Sequence, residues 1–335
     1  MTDTSEPYDA VVVGAGPAGL TAATYLARFR RRVLVLDGGR PRAAWIPESH
    51  NTPGFPQGVG GTELLRLLRL QAAEFGAAIE AGRAERLSPT ESGFRLHLAD
   101  RSLEAATVLL ATGVADHLPQ IPGLDQAIGA SLVRMCPICD AWEAIGARLA
   151  VLGEGPLAQR EADFLRPYSE DVTVLMLGEA AEAPPETVSI ALDQLRFEER
   201  EVVLAQTGGE AERRFDHLYL ALGCTPQVGL AEGLGARRDE AGALITDTHL
   251  MTTVEGLYAA GDVVRGLNQI SVAVGEAAIA ATAMHNRLRG LGLNGSPGCG
   301  SGGRRRWRRR GSRPRPGAGL RAGASGPRSV RRPGG

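Results

Sequence analysis

The strongest constraint on the fold is a glycine-rich turn near the start of the chain. The apolar run at residues 8–13 is typical of a buried parallel strand, and it ends in the six residues Gly-Ala-Gly-Pro-Ala-Gly that begin at Gly14. A helix-forming stretch and a second apolar run follow, and the second run ends at Asp37, 23 residues after Gly14. This pattern indicates a dinucleotide-binding βαβ unit, in which Gly16 admits a pyrophosphate and Gly19 lets helix and strand pack closely. Asp37 would then accept hydrogen bonds from a ribose.

A second unit of the same kind begins about 139 residues later. A strand is predicted at residues 148–152, a glycine turn at 153–158, a helix at 159–165 and another strand at 171–177. Strands that alternate with helices predict an α/β fold of doubly wound, Rossmann-like units.

The composition excludes several chemistries. All 37 basic residues are arginine, so the chain has no lysine for a phosphate-binding loop, a pyridoxal Schiff base or general base catalysis. Four cysteines are too few for a secreted disulfide framework, and the first ten residues do not resemble a signal peptide. The most apolar stretch, residues 11–27, contains the glycines of the first turn. We therefore expect a cytoplasmic protein that does not cross a membrane.

Two cysteines lie three positions apart in Cys136-Pro-Ile-Cys139-Asp140. Such a pair is either redox-active or half of a metal site, and the chain has no second C-x-x-C or histidine pair at zinc spacing. We predict a redox pair and no metal. Asp140 is a candidate proton donor or acceptor, or simply an acidic first-turn residue of a helix. Cys224 is predicted to be a small buried apolar residue rather than a third redox thiol.

With these motifs in place, residues 8–290 resemble the low-molecular-weight thioredoxin reductases. The similarity lies in the first glycine turn, in the loop and helix at residues 50–77, in LLATG, in CPICD and in LYAAGDV, which follow in the family order. The resemblance implies two Rossmann-like domains with the second inserted into the first. The FAD-binding domain would comprise residues 1–116 and 244–294, and the NAD(P)H-binding domain with the C-x-x-C would comprise residues 117–243.

The resemblance also implies roles for particular residues. Cys139 would face the flavin, Cys136 would attack the disulfide of a thioredoxin-like protein or a small disulfide, and Asp140 would be the general acid. The second domain would rotate between two arrangements, and the protein would be a homodimer. The predicted cofactor-binding residues are Gly14, Gly16, Pro17, Ala18, Gly19, Asp37, Asn51, Thr112, Gly113, Gly153, Gly155, Ala158, Gly261, Asp262 and Gln269.

The second glycine turn departs from the family pattern. The family carries a His-Arg-Arg run for the 2′-phosphate of NADPH where this chain has Met176, Leu177 and Gly178. Glu154 lies between the glycines of the turn, and Pro156 removes one amide donor. We therefore expect weakened affinity and selectivity for NADPH or NADH.

The end of the chain differs from the rest. Residues 295–335 contain 12 arginines, 12 glycines and no acid, whereas residues 1–294 have a net charge of about −13. A shifted reading frame in GC-rich DNA would produce such a tail, and so would a genuine nucleic-acid-binding or membrane-surface arm, or a neutral linker. Each interpretation predicts disorder.

Three functions fit these observations. The first is a thioredoxin reductase-like enzyme that passes electrons from NAD(P)H through FAD to Cys136 and Cys139 and on to a disulfide. The second is a flavin thiol oxidase that makes disulfides with oxygen. The third is a flavin-bound redox sensor without turnover.

Overall fold

The computed structural model describes residues 6–178, 187–205 and 211–290. The predicted disordered tail, residues 295–335, lies outside the described residues. None of the described helices combines the length and the apolar character needed to span a bilayer.

The first unit is built on a sheet in the order β3-β2-β1-β6-β5-β4, with β17 paired to β6. Its strands are β1 Tyr8–Val13, β2 Val33–Asp37, β3 Ala78–Ala81, β4 Arg86–Thr90, β5 Gly93–His97, β6 Ser102–Leu110 and β17 Leu257–Ala259. Its helices are α1 Pro17–Arg28, α2 Gly61–Glu74, α6 Gly229–Glu232 and α7 Ile270–Leu288. The strands β3, β2, β1, β6 and β17 run parallel, whereas β4 and β5 pair antiparallel.

The core of the first unit lies on both faces of this sheet. On one face α1 and α7 pack together through small side chains, including Ala22, Ala23 and Ala277, which are completely buried. On the other face, apolar residues of the strands, including Leu87 and Leu96, pack with Val228 and Ala231 of the segment that contains α6. Because alanine and glycine allow close approach, these two helices can lie directly behind the first glycine turn.

The second unit has its own parallel sheet in the order β11-β10-β9-β15-β8. Its elements are β8 Val133–Arg134, β9 Leu149–Gly153, β10 Val172–Leu177, β11 Thr187–Ile190 and β15 His217–Ala221, with α3 Leu124–Gly129, α4 Pro137–Asp140 and α5 Gly155–Leu165. A small antiparallel sheet adds β12 Leu195–Phe197, β13 Val202–Leu204 and β14 Arg213–Phe215. Short 3-10 turns occupy Arg42–Trp45, Trp142–Ala144 and Leu192–Gln194.

Two antiparallel strands connect the units, β7 Val114–Asp116 and β16 Cys224–Pro226. The strands of the second sheet all lie between β7 and β16 in the chain, while β17 returns to the first sheet. The predicted α/β class, with a second Rossmann-like unit inserted into the first, is therefore confirmed. The domain boundaries stay predictions, and Val228 and Ala231, which follow β16, already pack in the core of the first unit.

Candidate active site

A cavity of about 1110 Å³ lies between the two units. This is above the range of about 300–1000 Å³ that small-ligand pockets occupy, so it can hold a ligand of dinucleotide size. Fourteen of the predicted site residues line it, namely Gly14, Gly16, Pro17, Ala18, Asp37, Asn51, Thr112, Gly113, Cys136, Cys139, Asp140, Gly261, Asp262 and Gln269. The other four, Gly19, Gly153, Gly155 and Ala158, do not line this cavity.

The first glycine turn joins β1 to α1 at the edge of the cavity. A Cβ atom on Gly14 would lie 2.3 Å from the carbonyl oxygen of Ala111, and one on Gly19 would lie 1.9 Å from that of Gly14. Gly16 has no atom within 4 Å of the equivalent position, so its backbone faces open space. Gly14 and Gly19 are therefore required by packing, whereas Gly16 leaves room for a ligand beside the start of α1.

Asp37 and Thr112 lie at the ends of two strands of the first sheet or just beyond them. One carboxylate oxygen of Asp37 accepts the backbone N–H of Gly39 at 2.9 Å, and the other forms an ion pair with Arg69 of α2. The hydroxyl of Thr112 donates to the carbonyl oxygen of Gln227 at 2.6 Å. Both groups are thus held in place while they line the cavity.

A charged cluster that the sequence did not reveal lies where the units connect. Arg42 donates to both carboxylate oxygens of Asp116 at 2.7 and 2.9 Å, and its guanidinium lies 3.8 Å from the carboxylate of Asp262. Burial raises the pKa of Asp262, and the charge of Arg42 opposes this increase. Arg42 therefore ties the loop after β2 to the connecting strand β7.

The prediction for Cys224 is wrong in one respect. Cys224 is only partly buried, and its sulfur accepts a hydrogen bond from the side-chain amide of Asn268 at 3.5 Å. Burial and the carboxylate of Asp116 raise the pKa of the thiol. It therefore lies in polar rather than apolar surroundings, because β16 places it opposite Asp116 in the connecting ribbon.

Cys136 and Cys139 form a disulfide in the wall of the cavity. The side-chain amide of Gln269, at the start of α7, donates to the sulfur of Cys139 at 3.4 Å and to that of Cys136 at 3.5 Å. Asn51 in turn donates to the carbonyl oxygen of the Gln269 side chain at 3.0 Å. Residues of both units thus meet at the disulfide, which lies in the same cavity as the first glycine turn.

Asp140 follows the disulfide at the end of α4. Burial raises the pKa of its carboxyl to about 6, and the nearby charge of Arg134 opposes this increase. Asp140 can therefore exist in both protonation states near neutral pH, which suits a group that exchanges protons.

The second glycine turn joins β9 to α5. A Cβ atom on Gly153 would lie 2.5 Å from the carbonyl oxygen of Ala221, and Gly155 has a positive φ of 54°. Glu154 and Pro156 are exposed, so the Glu154 carboxylate is free to point away from a bound anion. The backbone of a dinucleotide turn is present, but residues 172–195 contain no arginine that could pair with a 2′-phosphate.

Glu161 on α5 is a partly buried acid that no sequence motif indicates. One of its carboxylate oxygens is buried without a hydrogen-bond partner among the described residues. Burial raises the pKa of this carboxyl from 4.5 to about 7, against the opposing charge of Arg160. The ionised form therefore destabilises the folded protein.

Glu161→Gln should change the pH dependence of stability. A native pKa above the unfolded value means that stability falls as the pH rises from about 4.5 to about 7. The variant lacks this loss, so its free energy of unfolding relative to the parent should increase by about 1–3 kcal/mol between pH 4.5 and pH 8. Urea unfolding at several pH values measures this difference. Glu170→Gln, which changes an exposed acid beyond the same helix, is the control, and an equal pH trend in both variants would refute the assignment.

Comparison with known proteins places this geometry in a family. Residues 8–277 match the model of the pyridine nucleotide-disulphide oxidoreductase family. The thioredoxin reductase of Treponema pallidum (strain Nichols) is 31% identical over 298 residues, which cover 82% of this chain and 95% of the relative.

Solved structures give the same result. The crystal structure of thioredoxin reductase from Streptococcus pyogenes MGAS5005 has a TM-score of 0.75 at 27% identity, and the comparison covers 85% of this chain and 99% of that one. The crystal structure of HlmI has a TM-score of 0.76 at 29% identity and covers 87% of this chain and 95% of that one. Since the match includes the first glycine turn, the disulfide and Asp262 together, the chain belongs to the pyridine nucleotide-disulphide oxidoreductase family, in its thioredoxin reductase branch.

Proposed function

We propose that this chain is a flavoprotein disulfide reductase that passes electrons from NAD(P)H through FAD to the Cys136–Cys139 disulfide and on to a thioredoxin-like protein or a small disulfide. One observation carries the proposal: the disulfide and the first glycine turn line one cavity. A dithiol and a dinucleotide cofactor in one cavity are the components needed for two-electron transfer.

The residues of the cavity fit FAD. Gly14 and Gly19 bring α1 close to the sheet, Gly16 leaves its backbone open, and the start of α1 favours a pyrophosphate. Asp37, Thr112 and Gly113 would hold the adenosine side, and Gly261, Asp262, Gln269 and Asn51 the flavin side. When bound, the flavin supplies two-electron transfer, while the protein positions it and excludes water.

The chemistry on the protein side belongs to the thiols and Asp140. After reduction, Cys136 attacks the partner disulfide as a thiolate and forms a mixed disulfide with one partner sulfur, and the other partner sulfur leaves. Cys139 then attacks Cys136, releases the reduced partner and restores the intramolecular disulfide. Asp140 exchanges the protons that these sulfurs gain and lose.

The surface beside the disulfide suits a protein partner. Ile138, Trp142 and Ile145 are 54%, 73% and 56% exposed. Exposed aromatic and aliphatic side chains next to a reactive group are typical of protein interaction sites. The proposal includes a cytoplasmic location and a homodimer, whereas nucleic acid would bind only if residues 295–335 are a genuine arm.

A flavin thiol oxidase is the second candidate, and the second glycine turn is the observation that favours it. Since residues 172–195 contain no arginine for the 2′-phosphate and Pro156 removes one amide donor from the turn, the site holds NADPH less well than a dedicated NADPH site. In this alternative a dithiol substrate reduces Cys136 and Cys139, and oxygen accepts the two electrons.

Anaerobic titration of the purified holoenzyme tests these alternatives. NADPH and NADH should each bleach the flavin absorbance. Their half-maximal concentrations should lie within about tenfold of each other, because residues 172–195 contain no arginine that could recognise the 2′-phosphate. If only dithiols bleach the flavin, and the reduced protein consumes oxygen on mixing with air, the oxidase is supported. If every donor, including reduced ferredoxin, reduces the flavin slowly, the sensor is supported. Cys139→Ser is the control, since it should keep bleaching by NAD(P)H but lose bleaching by dithiols.

A further inference from the structure

A buried polar group lies behind the disulfide, on the second unit. Arg134 of β8 donates to the main-chain oxygen of Asp140 at 2.9 Å, and the same nitrogen lies 3.5 Å from the Asp140 carboxylate. The hydroxyl of Tyr219 lies 3.4 Å from the same main-chain oxygen. The side chain of Arg134 is only 9% exposed and that of Asp140 28%, so solvent screens this pair weakly.

His217 completes the group from the neighbouring strand. Its Nδ1 lies 3.0 Å from the carbonyl oxygen of Ser131, which can only accept a hydrogen bond, so Nδ1 carries the hydrogen. Its Nε2 is then free to accept from Arg134 at 3.3 Å. Burial and the charge of Arg134 lower the pKa of His217, which keeps this ring neutral. Arg134 is thus held between a neutral acceptor and Asp140.

Both ends of the pair keep unused hydrogen-bonding capacity. Among the described residues, Nε of Arg134 and Oδ1 of Asp140 are buried without a hydrogen-bond partner. Arg134, Cys139 and Asp140 all line the cavity that contains the disulfide. The free carboxylate oxygen of Asp140 is therefore available for proton exchange beside Cys139.

We propose that Arg134 is a positioning residue that fixes Asp140 beside the disulfide and sets how readily this carboxyl releases its proton. The proposal rests on the disulfide chemistry proposed above. Opening the disulfide takes up two electrons, which would come from NAD(P)H through FAD, and two protons, one of which would come from solvent, and it yields two thiols. Asp140 supplies one of these protons and becomes a carboxylate, which the guanidinium of Arg134 stabilises.

The charges around Asp140 act in opposite directions. Burial and Glu143 favour the protonated form, whereas Arg134 and the nearby hydroxyl of Tyr219 favour the carboxylate. His217 acts only through Arg134 because it is neutral. Removing Arg134 leaves only Tyr219 to oppose burial and Glu143, so Asp140 should keep its proton to a higher pH.

Infrared titration of the oxidised holoenzyme tests this directly. Subtracting the spectrum of Asp140→Asn from that of the parent protein isolates the C=O stretch of protonated Asp140. For Arg134→Gln, the spectrum of the double variant Arg134→Gln, Asp140→Asn is subtracted instead. The titration midpoint should rise by about 1–3 pH units in Arg134→Gln. Arg134→Lys keeps the positive charge, so its titration midpoint should stay close to that of the parent protein.

The controls separate positioning from a structural role. Arg213→Gln makes the same change in the second unit, where the side chain donates to Thr173, and should leave the midpoint unchanged. If Arg134→Gln does not fold, Arg134→Met and Arg134→Lys provide the comparison. An unchanged midpoint, even with reduced turnover, would overturn the proposal. The titration uses no electron donor and no partner disulfide, so its outcome is independent of whether the proposed reductase activity is correct.

Discussion

Gly19→Ala should give a protein without bound flavin. The added Cβ would lie 1.9 Å from the carbonyl oxygen of Gly14 and 3.2 Å from a methyl group of Val12. A backbone oxygen cannot yield as a flexible side chain can, so α1 must move away from β1. We expect the free energy of unfolding to fall by at least about 1–3 kcal/mol. The ratio of flavin to protein absorbance, together with urea unfolding, measures both effects.

Variants at two other glycines separate the loss of flavin binding from the loss of stability. Gly16→Ala meets no atom within 4 Å, so it should fold normally and lose flavin affinity only because a methyl group occupies the approach of the pyrophosphate. Gly275 of α7 also has open space around it and does not line the cavity, so Gly275→Ala should retain flavin. Normal flavin content in Gly19→Ala would show that the cofactor binds elsewhere.

Long or uninterrupted apolar elements could be predicted from the sequence, whereas short strands could not. The ends of β1 were predicted correctly, because β1 is an uninterrupted apolar run. The strands β3, β4 and β5 were missed. Each has only four or five residues, and β4 contains Pro89, which weakens a strand pattern.

The start of α2 shows how tertiary contacts override local signals. Thr62 precedes an apolar helical pattern and is a typical N-cap residue, but the cap is Gly60 and the helix begins at Gly61. A Cβ atom on Gly61 would lie 1.8 Å from the carbonyl oxygen of Ala43. The close approach of the 3-10 turn at Arg42–Trp45 therefore determines where this helix begins, and no nearby residue indicates it.

In the candidate site, too, some features could be predicted from the sequence and others could not. The first glycine turn and the C-x-x-C pair were recognisable because their residues are adjacent in sequence. The contact between Gln269 and Cys139 joins residues 130 positions apart, and only the family resemblance had suggested that both lie near a flavin. The pairing of Arg42 with Asp116 over 74 positions had no sequence signal, because single surface-type arginines and acids are common in this chain.

Cys136→Ser and Cys139→Ser should each reduce the rate of partner disulfide reduction by at least about 1,000-fold. Neither variant can form the intramolecular disulfide, and a hydroxyl does not replace a thiolate as nucleophile at neutral pH. Reduction of insulin or of an oxidised thioredoxin with NAD(P)H as donor measures the loss. Flavin content should stay normal in both variants, because the glycine turns that would hold the cofactor are unchanged.

The two variants should differ in what they trap. If Cys136 attacks the partner, Cys139→Ser forms a mixed disulfide with the oxidised partner and cannot resolve it, whereas Cys136→Ser forms none. Non-reducing electrophoresis followed by mass spectrometry identifies the cysteine involved. Cys224→Ser is the matched control, since its oxygen can still accept from Asn268 and turnover should stay unchanged. A mixed disulfide trapped only by Cys136→Ser would reverse the roles of the two cysteines. Full turnover in Cys139→Ser would exclude the dithiol mechanism, because a single thiol cannot release the partner by intramolecular exchange.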